Sequence, residues 1–97
     1  MKTSTVEKIP AGKLIRIEVT GDDNTVTAVK VTGDFFLHPE EEIFSLEEAL
    51  SELSWQSSET EISEKLQGWQ LESEAVLVGF TLTDLTKTVF KALQCGA

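Results

Sequence analysis

Apolar and polar residues alternate strictly over residues 13–20, so Ile15, Ile17 and Val19 would share one face of an extended chain. This two-residue period is typical of a β-strand with one buried face. Four residues that favour turns then precede a second β-rich run, residues 25–32. The pattern predicts two strands joined as a β-hairpin.

The apolar period changes to that of a helix further along the chain. Ser45 and Glu48 have the spacing of a capping box, in which the serine hydroxyl accepts from the amide three residues on and the glutamate reaches back. The apolar stripe that follows consists of Leu46, Ala49, Leu50 and Leu53. We therefore predict a first helix that starts at Ser45 and ends near Ser54.

Two more helices are predicted after the first. The second has a weaker apolar stripe, starts with the capping-box pair Ser58 and Glu61, and has Gly68 as its terminating residue. The third is capped by Thr81 or Thr83 and carries its acid near the start and its lysines later, which suits the helix dipole.

A short apolar run, residues 75–80, is either a third strand or a buried extended link, and we favour the strand. The resulting order predicts an α+β fold, with an antiparallel sheet made of the hairpin and this candidate third strand, covered by about three helices. A chain of 97 residues fits one hydrophobic core, so residues 1–97 are expected to form a single domain.

The junction between the second strand and the first helix, residues 33–40, is the most informative part of the chain. Gly33 would interrupt the strand by a bulge or a close backbone approach and re-aim the residues after it. Phe35 and Phe36 cannot both face inward in a regular strand, because neighbouring side chains alternate. An exposed phenylalanine would mark an interface, whereas two covered ones would be core packing against the first helix.

Charge is unevenly distributed within the net charge of −9. Residues 1–37 carry five acids and five bases, whereas residues 38–74 carry eleven acids and one base. Such a negative middle repels phosphate backbones, so nucleic acid is not an expected partner. The acidic stretch is either a solvated helical surface or a face for a basic partner protein. No apolar run approaches the roughly 20 residues of a membrane span, so we expect a cytoplasmic protein.

Candidate chemistry is sparse. His38 is the only histidine, there is no cysteine pair, and the glycines form no phosphate-binding motif. The carboxylates at residues 40–42 stand in a row and would point in several directions rather than converge with His38 on a metal ion. We therefore expect neither a catalytic residue nor a metal site.

Several segments together resemble the accessory domain of lipoate–protein ligase. They are residues 11–15, the hairpin, the run 31–40 with its Gly-Asp-Phe-Phe motif, and the apolar positions of the first helix. The resemblance covers residues 8–53 well and residues 77–93 more loosely. Residues 55–74 depart most from the family, because they are long, acidic and contain two tryptophans.

The resemblance implies a standalone small subunit that forms a heterodimer with a catalytic subunit. In that family the catalytic subunit binds ATP, Mg²⁺ and lipoate, forms lipoyl-AMP, and passes the lipoyl group to a lysine of an acceptor domain. The accessory domain is required for the adenylation step but supplies no catalytic group, so this chain itself would bind no cofactor. The implied fold resembles that of the small iron–sulfur scaffold and sulfur-acceptor proteins, whose loop cysteines have no counterpart here.

The predicted partner interface consists of Lys13, Asp34, Phe35, Phe36, His38 and Glu40. Two other functions stay open. A lipoyl or biotinyl carrier domain would have a modifiable lysine at a hairpin tip, and the tip at residues 21–24 has none. An acidic adaptor unrelated to lipoate would use the same negative surface.

Overall fold

The structure is a computed structural model that describes residues 2–8, 14–22 and 25–96, with side chains described for residues 14–22 and 25–94. Eight elements follow one another along this part of the chain: β1 (Lys2–Lys8), β2 (Leu14–Gly21), β3 (Val26–Gly33), β4 (Phe36–His38), α1 (Glu42–Ser51), α2 (Glu59–Ser73), β5 (Val76–Val78) and α3 (Leu82–Gly96). The α+β fold with a small antiparallel sheet and three helices is confirmed.

The main sheet has the order β1-β2-β3, with both pairs antiparallel. The predicted hairpin is its β2–β3 pair, in which Ile17 lies opposite Val31 and Val19 opposite Val29. These four side chains are buried, and the polar residues between them on β2 and β3 are mostly exposed. One face of the hairpin therefore forms a wall of the core, as the alternation predicted.

Helices α1 and α3 cover the buried face of this sheet. Helix α1 packs on β3, α3 packs on β1 and β2, and α2 lies against both other helices. Leu46, Leu50, Ile62, Leu66 and Leu85 are completely buried between them. Each such leucine or isoleucine contributes about 1.5–3 kcal/mol by leaving water, so this contact layer is a main source of the stability of the fold.

The strand β1 was not predicted. Its sequence has Val6 as the only large apolar residue, so it has no apolar alternation to reveal it. It joins the sheet by pairing along the whole length of β2, with Thr5 opposite Ile17. Backbone pairing with a neighbour, rather than its own side-chain pattern, makes this segment a strand.

The predicted start of the first helix was wrong. Helix α1 begins at Glu42, because the backbone already turns after Pro39, whose carbonyl accepts from the Glu42 amide at 3.0 Å. Ser45 consequently lies inside the helix, where its hydroxyl donates to the Glu42 carbonyl at 2.9 Å. Because Ser45 lies within the first turn, it does not cap α1, and the predicted Ser45–Glu48 capping box does not form.

The second helix starts as predicted and ends later. Ser58 and Glu61 form the capping box, with both reciprocal hydrogen bonds at 3.1 Å. The helix does not end at Gly68 but continues to Ser73, and Glu74 at φ 55° provides the left-handed C-cap. The turn around Gly68 stays helical because Leu66 and Trp69 on either side of it are buried in the core.

Two further predictions concern the last third of the chain. Thr81 and Asp84 exchange hydrogen bonds at 3.1 Å, so Thr81 rather than Thr83 caps α3. Residues 76–78 do form a strand, but β5 pairs with β4 in a separate two-stranded sheet instead of extending the hairpin. In the described part of the chain, no helix is long and apolar enough to cross a membrane.

Candidate partner-binding surface

Gly33 is the residue that turns the chain away from the main sheet. Its φ is 152°, and a Cβ added there would lie only 2.2 Å from the Leu14 carbonyl oxygen. The next amide, that of Asp34, donates to the same carbonyl at 2.9 Å. A residue with a side chain cannot occupy this close approach without moving the backbone, so the predicted role of Gly33 in re-aiming the chain is confirmed.

The two phenylalanines after this turn take opposite directions. Phe35 is half-buried and packs on Phe80, with ring centroids 4.4 Å apart and ring planes at 47°. Such tilted contacts between aromatic rings are favourable. Phe36 points outward and is 62% exposed. One ring therefore belongs to the edge of the core, and the other is free to contact a partner.

Strands β4 and β5 together present an exposed apolar face, which we call the ribbon face and define as Phe36, His38, Val76 and Val78. Phe36 lies opposite Val78 and His38 opposite Val76, and residues paired in this way project from the same side of a sheet. Val76 is 58% and Val78 46% exposed. Adjacent apolar side chains that are all open to solvent are typical of a protein–protein contact.

The opposite side of the same two strands faces the core. Leu37 of β4 is 5% exposed, and Leu77 of β5 packs against the core cluster. Because side chains alternate along a strand, burying these leucines forces their neighbours outward. The ribbon face is therefore positioned by the packing of its opposite side on the core.

The structure separates the residues of the predicted interface. Phe36 and His38 share the ribbon face. Asp34 precedes β4 and Glu40 follows it in the sequence, and both side chains are exposed. Phe35 is withdrawn towards Phe80. Lys13 lies outside the described residues.

A shallow hollow of about 300 Å³ opens beside the ribbon face. Its lining includes Phe36, Glu40 and Ile43, so it joins β4 to the start of α1. A partner protein that covers Phe36 could place one of its side chains in this hollow. The histidine and acids near this hollow do not form a metal site: across the described residues no cluster of three or more His, Cys, Asp or Glu side chains is placed to hold an ion.

Val76 and Val78 were missed as candidate residues by sequence reasoning. The apolar run 75–80 has no polar alternation, so it does not tell which of its residues point outward. Only the register of β5 against β4 places the two valines beside Phe36.

The chain is similar over most of its length to a known structure of an archaeal lipoylation system, a bipartite lipoate protein ligase and its E2 lipoyl domain from Thermoplasma acidophilum. The two chains share 25% sequence identity with a TM-score of 0.72, and the similarity covers 92% of this chain and 94% of the other. A scan against protein-family models gives no match, and neither does a search of curated proteins. The likeness therefore rests on the arrangement of the elements over nearly the whole length of both chains.

Proposed function

We propose that this protein acts in protein lipoylation as the accessory subunit of a lipoate–protein ligase. The observation that carries the proposal is the fold similarity to a chain from a bipartite ligase system, because it covers nearly all of both chains. The Gly-Asp-Phe-Phe motif at residues 33–36 supports the same family independently of the fold comparison. In this proposal the catalytic subunit holds ATP, Mg²⁺ and lipoate, and the present chain binds that subunit as a heterodimer.

The ribbon face is the surface that we assign to this contact. Phe36 offers a large, mostly exposed ring on a rigid strand, and the flanking valines extend the apolar area. Completely covering one such side chain contributes up to about 1.5–3 kcal/mol, and a central aromatic residue surrounded by smaller contacts is typical of a binding hot spot. The exposed His38, Asp34 and Glu40 would form part of the polar rim.

An accessory subunit without a catalytic group can still control the rate of a reaction. It does so by binding more tightly to the conformation of the catalytic subunit that is competent for adenylation. Each 1.4 kcal/mol of this preference changes the ratio of the two conformations about tenfold. The contact surface, rather than a reactive side chain, would then be the functional site of the chain.

The test is to mix the purified chain with a catalytic ligase subunit encoded in the same genome and to measure lipoate-dependent release of pyrophosphate. We expect the chain to increase the rate, and Phe36→Ser to reduce the increase. Phe44→Ser is the matched control, because Phe44 is a phenylalanine of α1 that is 70% exposed and is not part of the ribbon face. A rate that does not change when the chain is added would refute the proposal.

The same mixture distinguishes an accessory subunit from a lipoyl carrier. A carrier receives the lipoyl group on one of its own lysines, so mass spectrometry after the reaction would find this chain heavier by one lipoyl group. We expect the chain to keep its original mass while an added acceptor domain becomes lipoylated. A stoichiometric lipoyl adduct on this chain would assign it to the carrier class instead.

A further inference from the structure

A groove with a volume of about 700 Å³ lies between α1 and α2. It lies on helices α1 and α2, away from β4 and β5, so it is separate from the ribbon face. One wall comes from residue 45 of α1 to its C-cap, Glu52, and the other from residues 64–72 of α2. At about 1.5 Å of rise per residue, each wall is on the order of 10 Å long, which equals two turns of a helix.

The floor of the α1–α2 groove is apolar. Trp69 lies there with 5% exposure, and its indole N–H donates to the Ser45 hydroxyl across the groove at 2.9 Å. This bond links the two helices. Ala49 of α1 also lines the groove, as does Leu71, which is 82% exposed.

Gly68 keeps the centre of the groove open. A Cβ added at this position would meet no atom within 4 Å, so the packing of the fold does not require glycine there. Glycine inside a helix nevertheless costs about 1 kcal/mol relative to alanine. The space above Gly68 is therefore open to a ligand that enters the groove.

The rim of the groove is negative on both sides. Glu48 lies on α1 and Glu52 is its C-cap, and Glu64 and Glu72 lie on α2. Lys65 is the one base in the lining, and it is already paired with Glu52. An apolar floor between two acidic rims is complementary to an apolar stripe between two rows of positive charge.

We propose that the α1–α2 groove binds a basic amphipathic helix of a partner protein. Two turns of such a helix would lay their apolar side chains on Ala49 and Leu71 and over Gly68, while lysines or arginines on either flank reach the rim carboxylates. The carboxylates would repel phosphate groups, so nucleic acids and anionic membrane surfaces do not fit the same groove. The inference does not depend on the proposed role in lipoylation.

The probe for this proposal is a synthetic amphipathic peptide of four turns, with a leucine stripe flanked by lysines, titrated into the full-length chain labelled with nitrogen-15. We expect amide shifts confined to the two walls of the groove, a dissociation constant below about 1 mM, and weaker binding at higher salt. A twin peptide with glutamates in place of the lysines should not bind. Neither the ligase nor lipoate is present, so a failure here is distinct from a failure of the proposed function.

Gly68 offers a matched pair of variants for the same titration. Gly68→Leu fills the centre of the groove at an exposed helical position, so the protein should fold normally and bind the peptide at least about tenfold more weakly, which is 1.4 kcal/mol. Gly68→Ala adds one methyl group and should bind within about twofold of the wild type, which is less than 0.5 kcal/mol. The proposal is overturned if Gly68→Leu binds like the wild type, if the acidic twin binds equally well, or if the shifts fall on the ribbon face.

Discussion

Phe36 and Leu37 are adjacent in the chain, yet replacing each by alanine should have opposite consequences. Leu37 is 5% exposed and faces the core, so Leu37→Ala removes buried methyl groups and leaves a cavity. Such substitutions cost about 2–5 kcal/mol. Phe36 is 62% exposed, so less than half of its ring contributes to folding. A fully buried phenylalanine costs about 3–5 kcal/mol when truncated, and we therefore expect roughly 1 kcal/mol for Phe36→Ala.

Thermal denaturation of the isolated chain measures the first half of this prediction. For a domain of this size, each 1 kcal/mol lowers the melting temperature by about 4–8 °C, so Leu37→Ala should melt far below Phe36→Ala. Titration against the catalytic ligase subunit measures the second half. Phe36→Ala should weaken the heterodimer at least about tenfold, which corresponds to 1.4 kcal/mol.

This reasoning would be refuted if Phe36→Ala destabilised the protein as much as Leu37→Ala does. The ring would then be covered within the chain itself, and the ribbon face would not be open to a partner. If Phe36→Ala is stable and binds the ligase subunit with unchanged affinity, the described fold is correct but the contact surface lies elsewhere on the chain.

Three further predictions concern stability and are checked by denaturant unfolding of the isolated chain. Gly33→Ala should lower the free energy of unfolding by more than about 2 kcal/mol, because the positive φ is strained for alanine and its Cβ would meet the Leu14 carbonyl. A free energy of unfolding within error of the wild type would contradict this close approach. Glu47→Ala should cost about 1–3 kcal/mol, since the Glu47 carboxylate accepts from the edge amide of Val31 at 2.8 Å, and Glu47→Gln should recover part of the loss; equal losses in both variants would show that packing, not this bond, matters. Gly68→Ala should stabilise the chain by about 0.5–1 kcal/mol, as expected for an unobstructed helical site, and a loss of stability would mean that the space above Gly68 is filled within the fold.

Local sequence patterns predicted the elements that are determined by residues close together in the chain. The alternation of Ile15, Ile17 and Val19 identified β2 because each of these side chains individually leaves water. The capping box of Ser58 and Glu61 identified the start of α2 because both of its hydrogen bonds join residues three positions apart. Elements of this kind need no knowledge of the rest of the molecule.

Signals that compete with packing misled the prediction. Ser45 and Glu48 have the same capping spacing, but the turn after Pro39 starts α1 earlier, and the Ser45 hydroxyl accepts from Trp69 instead. Gly68 is a common helix terminator, but buried residues on both sides keep α2 helical beyond it. In both cases, contacts between residues more than 20 positions apart, or burial in the core, outweighed a local preference.

The sequence by itself determined the α+β class, the β2–β3 hairpin and the interruption at Gly33, since each depends on a periodicity or on the stereochemistry of one residue. It left open whether one of Phe35 and Phe36 is exposed or both are covered. Only the tertiary structure decided that β1 joins the sheet, that β5 pairs with β4, and that Val76 and Val78 lie beside Phe36. The physical reason is that a candidate contact surface is made of side chains about 40 residues apart in the chain, and their neighbourhood follows from strand register and core packing rather than from local sequence.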